Sequence, residues 1–267
     1  MNRHVPNSGL ANFGIVSAES WSPGLRANAT SASMAGEDAS VLVAGNEQSS
    51  LHDYGYRMGG PRKPIGGTTK RLLDLLVAVL ALIPASFLML VAILLIKATT
   101  GGPAFFKHKR VGFDGKPFYC YKFRTMVCNG DQVLADYLRD NPDARREWEE
   151  TRKLRYDPRI TFVGAMLRKS SIDELPQLFN VLRGEMSCVG PRPIVADELE
   201  RYGTAAGMYL KMRPGMTGLW QTSGRSCVDY ARRVAFDVDY GQNWSLLRDV
   251  HILARTVVVV TNFREAA

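Results

Sequence analysis

Along the chain, apolar positions first gather without interruption from Leu72 to Ile96, where the exceptions are Asp74, the small Ser86 and the helix breaker Pro84. A run of this kind belongs in lipid. As a straight helix it would extend roughly 37 Å, enough for the hydrocarbon core. Its halves, Leu72 to Ile83 and Ala85 to Ile96, are each about 18 Å long and too short to cross alone. Two arrangements fit: a helix bent at Pro84 that returns to its starting side, or a kinked span. Proline removes an amide donor and clashes with the preceding turn, and Ser86 is placed to serve a freed carbonyl. Lys70 and Arg71 precede the run and Lys97, Lys107, Lys109 and Arg110 follow it. Under the positive-inside rule both ends are then cytoplasmic, which agrees with a return but leaves the span open. Asp74 is costly in hydrocarbon unless it snorkels or pairs with a cation such as Arg71 or Lys70.

Before this run, residues 1–66 are rich in Ser, Gly, Ala and Asn with no sustained apolar period, the composition of a disordered leader. It carries no apolar run or cleavage pattern of a secretory signal. After it, residues 101–267 read as a domain of short elements. Gly101-Gly102-Pro103 breaks the helix, and Pro117 to Phe123 has the aromatic character of a strand. Val127 to Arg155 has helical spacing, interrupted at Asn141-Pro142, where Asn141 starts a second helix. Glu198 to Lys211 and Tyr230 to Tyr240 also read as helices. Val250 to Phe263 is a core helix or one lying on a membrane, and periodicity does not separate these. The pattern predicts an α+β, predominantly helical fold in three parts: leader 1–66, membrane helix 67–100 and a domain of short elements over 101–267.

Charge narrows the partners. With 34 Lys and Arg against 26 Asp and Glu, the net charge of +8 favours anions: nucleic acid, lipid headgroups or phosphorylated substrates. The apolar run leaves nucleic acid without support. Cys120, Cys128, Cys188 and Cys227 lack metal-type spacing and read as reduced thiols. Four histidines, two of them in the leader, offer no histidine-based centre.

Three stretches carry candidate chemistry. In Leu167 to Asn180, Asp173 and Glu174 follow the basic pair Arg168-Lys169, and Ser170 or Ser171 is placed to cap a helix whose positive end lies near Asp173. Taken alone, such a pair more often complements a helix dipole. In Gly184 to Pro193, prolines on either side of Arg192 restrict its backbone, which suits bidentate phosphate recognition as well as it suits a rigid turn. Arg213 to Arg225 combines glycines with two arginines; glycines let a loop approach a ligand closely, but no Walker spacing is present.

Lys109-Arg110-Val111-Gly112, Tyr121 to Met126, the Asp173-Glu174 segment, Val189 to Pro193 and Arg213 to Arg225 occur in the order and spacing of one family. From Lys70 to about Phe263 the sequence resembles the bacterial sugar transferases, which place a sugar 1-phosphate on polyprenyl phosphate to initiate exopolysaccharide or glycan synthesis. The resemblance implies a membrane-embedded, re-entrant helix broken at Pro84, a catalytic domain on the cytoplasmic side of the inner membrane, and an Asp-Glu pair in which Asp173 is the nucleophile and Glu174 a ligand of Mg²⁺. It carries over Arg168 and Arg192 as phosphate-binding residues, with Arg110, Lys122, Arg124, Arg213 and Arg225 as weaker candidates. His108 and Cys188 depart from the family's usual pattern.

The reaction so implied takes a sugar phosphate from a UDP-sugar, UDP-galactose or UDP-glucose, through an aspartyl intermediate to undecaprenyl phosphate, and releases UMP. The alternative is a non-enzymatic membrane scaffold or regulator of polysaccharide assembly. Membrane lipids are expected partners, nucleic acid is not, and homo-oligomerisation is left open.

Overall fold

The computed structural model describes residues 63–223 and 229–261. The expected leader lies almost wholly outside the described residues, as do Arg225 and Cys227. The first element, α1 (Gly67–Thr99), is a 33-residue helix that contains Pro84. Among the described residues it is the one helix long and apolar enough to cross a membrane. The Ser86 hydroxyl donates to the Ile83 carbonyl at 2.7 Å, whereas the carbonyl that Pro84 deprives of an amide is that of Leu80. The serine therefore does not serve the freed carbonyl.

The apolar residues of α1 divide by face. Ala78, Ala85, Met89, Ala92 and Ile96 are buried, so both halves of the helix lie against the same body. Leu72, Leu76, Leu80, Ile83, Phe87 and Leu94 are exposed. Alanines on the inner face let other elements approach the helix axis; large aliphatic side chains on the outer face suit a lipid solvent.

Beyond α1, β1 (Phe105–Val111) and β2 (Pro117–Phe123) form an antiparallel hairpin from Phe105 opposite Phe123 to Val111 opposite Pro117. The strand expected at 117–123 is present with those bounds. β1 gave no signal because its first five residues are exposed, and without a buried face no alternation is imposed. α2 (Gly130–Asp140) and α3 (Pro142–Thr151) meet at Asn141 as expected, although the Asn141 amide donates back to the Tyr137 carbonyl rather than capping α3. α4 (Phe162–Lys169), a 3₁₀ turn (Ile172–Glu174) and α5 (Gln177–Arg183) follow.

β3 (Ser187–Val189) and β4 (Gly215–Thr217) pair in parallel. A Cβ on Gly215 would lie 2.1 Å from the Gly190 nitrogen, and one on Gly218 2.4 Å from the Gly190 oxygen. These glycines thus bring two backbones together, where the sequence had suggested approach to a ligand. Helices α6 (Ala196–Arg201), α7 (Ala206–Tyr209), α8 (Tyr230–Gln242) and α9 (Leu246–Thr261) complete the fold. α9 joins the core through Ile252 and leaves Leu247, Val257 and Val258 exposed. The main core gathers the inner face of α1 with Phe118 and Phe123 of β2, Leu167 of α4, and Leu178 and Val181 of α5.

Three polar side chains in the first turns of α1 each find a different element. Lys70 Nζ donates to Asp249 Oδ2 of α9 at 2.6 Å and to the Tyr240 hydroxyl of α8 at 2.9 Å. Tyr240 and Trp244 also donate to Asp249, at 2.6 and 3.0 Å. Arg71 donates to the carbonyls of Val181 and Leu182, capping the C-terminus of α5. Asp74 Oδ1 accepts from the Ser187 hydroxyl at 2.8 Å and the Cys188 amide at 2.9 Å. Asp74 therefore docks on β3 instead of pairing with Lys70 or Arg71. Those two cations, counted above toward the positive-inside rule, are consumed inside the protein; Lys97, Lys107 and Lys109 remain exposed.

The side chains of Lys70 and Asp249 are 7% and 1% exposed, so removing one partner strands a buried charge. Asp249→Asn is expected to cost about 3 kcal/mol or more, and Lys70→Met combined with Asp249→Leu to recover much of the loss. Thermal unfolding in detergent checks both; an unchanged midpoint in Asp249→Asn would contradict the anchoring role.

Candidate active site

The site is assembled around the end of β2. Thr161 caps α4 by accepting from the Gly164 amide at 2.9 Å, and its own amide donates to the Thr125 carbonyl at 3.1 Å. Position 164 has to be glycine, because a Cβ there would sit 2.0 Å from the Thr125 oxygen. One turn later on the same face, Arg168 Nε donates to Thr125 Oγ1 at 2.8 Å.

α4 then ends abruptly. The Ser170 hydroxyl donates to the Met166 carbonyl at 2.9 Å, and Ser171 takes a left-handed conformation (φ 56) that turns the chain into the 3₁₀ segment bearing Asp173 and Glu174. Ser171 stands at the N-cap of that segment as expected, its carbonyl accepting from the Glu174 amide at 3.2 Å, but neither serine side chain makes a capping bond to it: the Ser170 hydroxyl closes the preceding helix and Ser171 supplies the reversal.

Asn180, fully buried on α5, fixes this segment against β2. Its Nδ2 donates to the Tyr119 carbonyl at 2.7 Å and its Oδ1 accepts from the Tyr121 amide at 3.1 Å. With α5 clamped there, Lys122 Nζ meets Glu174 Oε1 at 2.6 Å. Asp173 is 8% exposed. Burial, followed by the neighbouring Glu174 charge, pushes its carboxyl up to about 6, with Lys122 and Arg168 opposing.

These groups open on a cleft of about 1440 Å³, whose lining includes Asp173, Glu174, Lys122, Arg124, Arg168 and Arg192. Val77, Ala81 and Leu88 of α1 form an apolar wall. Arg192 is exposed and makes no hydrogen bond or ion pair with the described residues, so its guanidinium is free to meet an anion. Arg124 donates to Cys128 Sγ at 2.9 Å.

Two of the weaker candidates do not reach the cleft. Arg110 donates to the Pro193 carbonyl at 3.3 Å and lies 3.8 Å from Glu198, bracing the Pro-Arg-Pro turn from behind. Arg213 donates to the Gly184 carbonyl at 2.9 Å beyond the C-terminus of α5. Arg225 lies outside the described residues.

Among the described residues, no group of three or more His, Cys, Asp or Glu converges as a metal cage. The donor set, two adjacent carboxylates beside the cations Lys122, Arg168 and Arg192, fits a Mg²⁺ that arrives with phosphate oxygens and water. Glu174 has Oε2 to offer, since Oε1 meets Lys122.

The family model for the bacterial sugar transferases matches residues 65–263. The chain belongs to that family. An exopolysaccharide production protein, ExoY, of Sinorhizobium fredii is 57% identical over 201 residues, which cover 75% of this chain and 89% of that protein. An undecaprenyl-phosphate galactose phosphotransferase of Salmonella typhimurium is 56% identical over 192 residues, 72% of this chain and 40% of that protein. A UDP-glucose:undecaprenyl-phosphate glucose-1-phosphate transferase of Caulobacter vibrioides is 43% identical over 212 residues, 75% of this chain and 73% of that protein.

In this sugar transferase, of the two departures from the family pattern, His108 is exposed on β1 against the Phe106 ring, and Cys188 is buried beside Asp74 at the cleft lining. Sequence reasoning passed over Thr125, although it stands in the Tyr121 to Met126 motif, and over Asn180, whose long-range bonds leave no local signature.

The raised carboxyl of Asp173 has a thermodynamic consequence. Between its ordinary 3.8 and about 6 the folded state holds a proton that the unfolded state has lost, so folding is penalised progressively as pH rises through that window. In metal-free protein, Asp173→Asn should gain about 1–3 kcal/mol of stability above about pH 6.5. The gain should vanish below about pH 4. Denaturation with a chelator at both ends of the range measures it; a gain independent of pH would contradict this origin.

Proposed function

We propose that the protein transfers a hexose 1-phosphate from a UDP-sugar to polyprenyl phosphate at a membrane surface. The observation that carries this reading is a buried carboxylate, Asp173, in a cleft that presents Lys122, Arg168 and Arg192 to an anion and apolar residues of α1 to a lipid. A water-soluble diphosphate and a lipid phosphate need such a mixed wall to meet. The names of the Salmonella and Caulobacter relatives support undecaprenyl phosphate as acceptor and galactose or glucose as the sugar. The Sinorhizobium relative supports a place at the start of exopolysaccharide synthesis.

Asp173 attacks the phosphorus that bears the sugar. A bond forms from its carboxylate oxygen to that phosphorus as the bond to the bridging oxygen breaks, and UMP leaves with the electron pair. A phosphate oxygen of the polyprenyl phosphate then displaces Asp173, giving polyprenyl-diphosphate sugar and the free carboxylate. Desolvation favours Asp173 in this role, because a carboxylate stripped of water is the more reactive nucleophile once an incoming group has offset its burial. Mg²⁺ held by Glu174 would supply charge neutralisation on the diphosphate. Lys122 orients Glu174, Thr125 orients Arg168, and Arg192 is poised to follow charge onto the leaving phosphate.

In this reading α1 enters and leaves the membrane on one face, with Pro84 near its deepest point and the domain 101–267 on the cytoplasmic side of the inner membrane. Support comes from the buried side chains on both halves of the helix, Ala78 before the proline and Ala85, Met89, Ala92 and Ile96 after it, all within one core. A helix crossing the bilayer would carry one half away from that core.

Purified protein given UDP-galactose or UDP-glucose, Mg²⁺ and polyprenyl phosphate should release UMP. Asp173→Asn should lower the rate by about 10³-fold or more. Arg192→Ala should cost about 10²–10³-fold. Glu174→Gln should move the Mg²⁺ requirement to higher concentration. Undiminished turnover by Asp173→Asn would overturn the nucleophile, and an unaltered metal titration in Glu174→Gln would remove its ligand role.

A further inference from the structure

Away from Asp173, the same cleft is lined by residues with no part in the chemistry above, among them Gln221 from the turn after β4, Tyr202 following α6, and Asp237 of α8. Asp237 is 3% exposed and forms no ion pair among the described residues. Its Oδ2 accepts from the Tyr202 hydroxyl at 2.8 Å, and its Oδ1 has no hydrogen-bond partner among the described residues. Gln221 directs its Nε2 to the Met216 carbonyl at 3.4 Å, while its Oε1 is buried with no partner.

Leaving a buried acceptor without a donor costs about 1–3 kcal/mol, so the unpartnered Gln221 Oε1, in the same cleft as the half-bonded Asp237 carboxylate, points to a ligand that brings donors. Gln221 Oε1 accepts only, Asp237 Oδ1 accepts when ionised, and neither forms an ion pair or hydrogen bond with a cation among the described residues. The matching ligand groups are uncharged donors. In a nucleotide-sugar the diphosphate is flanked on each side by a hydroxyl-rich ring, the ribose and the hexose. When its phosphates lie against Arg168 and Arg192, one ring extends along the cleft wall.

We propose that Asp237 Oδ1 and Gln221 Oε1 form a sugar-hydroxyl pocket that receives a ring of the UDP-sugar donor. Tyr202 is a positioning residue that holds the Asp237 carboxylate with Oδ1 unpaired. Burial pushes that carboxyl up to about 7, as befits an acid with one hydrogen bond and no counter-charge. A clip between helices would be served equally well by a neutral pair, at lower cost. The pocket deepens the donor reading given above and rests on it.

The test separates the two. Binding of UDP-galactose, UDP-glucose and UDP is measured by titration calorimetry with full-length Asp173→Asn protein, which holds the donor without turning it over. The measurement is repeated after adding Asp237→Asn or Gln221→Met. Each addition should weaken binding of at least one UDP-hexose by 10-fold or more. Loss of UDP affinity to the same degree assigns the ribose, and unchanged UDP affinity assigns the hexose. Gln221→Met removes a buried unpartnered atom, so its melting temperature should hold or rise while affinity falls, a pairing that a merely structural glutamine would not give.

Unchanged binding of all three ligands in both added variants overturns the pocket even where wild-type protein releases UMP. Weakened binding only in step with a lowered melting temperature overturns it as well. A parent protein that binds none of the three contradicts the donor reading itself, and the pocket with it.

Discussion

An apolar helix suited to lipid cannot carry Lys70, Arg71 and Asp74 in its first turns unless something takes them in. Three separate elements do: Asp249 of α9 for the lysine, the C-terminal carbonyls of α5 for the arginine, and the serine hydroxyl and backbone amide of β3 for the aspartate. The cost of an unsatisfied charge in hydrocarbon makes this attachment obligatory. It fixes the register of α1 against the domain, and so the position of everything attached to α5 relative to that helix. Asp74 Oδ2 remains buried without a partner, so the anchor is tight but incompletely satisfied.

From that anchor the site follows by short steps. α5 is held at its C-terminus by Arg71 and against β2 by Asn180, and the turn immediately before it carries Asp173 and Glu174. β2 brings Lys122 to Glu174 and ends at Thr125, which receives both the N-terminus of α4 and the side chain of Arg168. The carboxylate pair is thus presented at the edge of an apolar wall belonging to α1. Electrostatics there are poised rather than neutral: burial and the adjacent Glu174 work against the charge on Asp173, and Lys122 and Arg168 only partly oppose them. A site in that condition is completed by what it binds.

Much of this was legible in the sequence where the signal is local. The lipid-type helix, the strand at Pro117–Phe123, the break between α2 and α3 at Asn141, and the helices over Tyr230 and Val250 all follow from spacing within a few residues. The motif order identified the family and drew attention to Asp173, Glu174, Arg168 and Arg192, which line one cleft. What could not be read was set by tertiary contact. Lys70 and Arg71 look like membrane-flanking cations and prove to be internal; Gly215 and Gly218 look like a ligand loop and prove to be backbone contacts with Gly190. Arg213, one of a pair of loop arginines in sequence, serves a helix terminus. Asp237 lies in a helix read correctly from its pattern, but its unpaired oxygen depends on Tyr202, 35 residues away.

The most direct measurement is the mass of the intact protein, quenched rapidly after mixing with UDP-galactose or UDP-glucose and Mg²⁺ in the absence of acceptor. The expected result is a gain of one hexose phosphate that maps to the peptide containing Asp173 and disappears when polyprenyl phosphate is added. Turnover of the donor to UMP and polyprenyl-diphosphate sugar, with no such adduct at any quench time, would contradict a covalent role for that carboxylate.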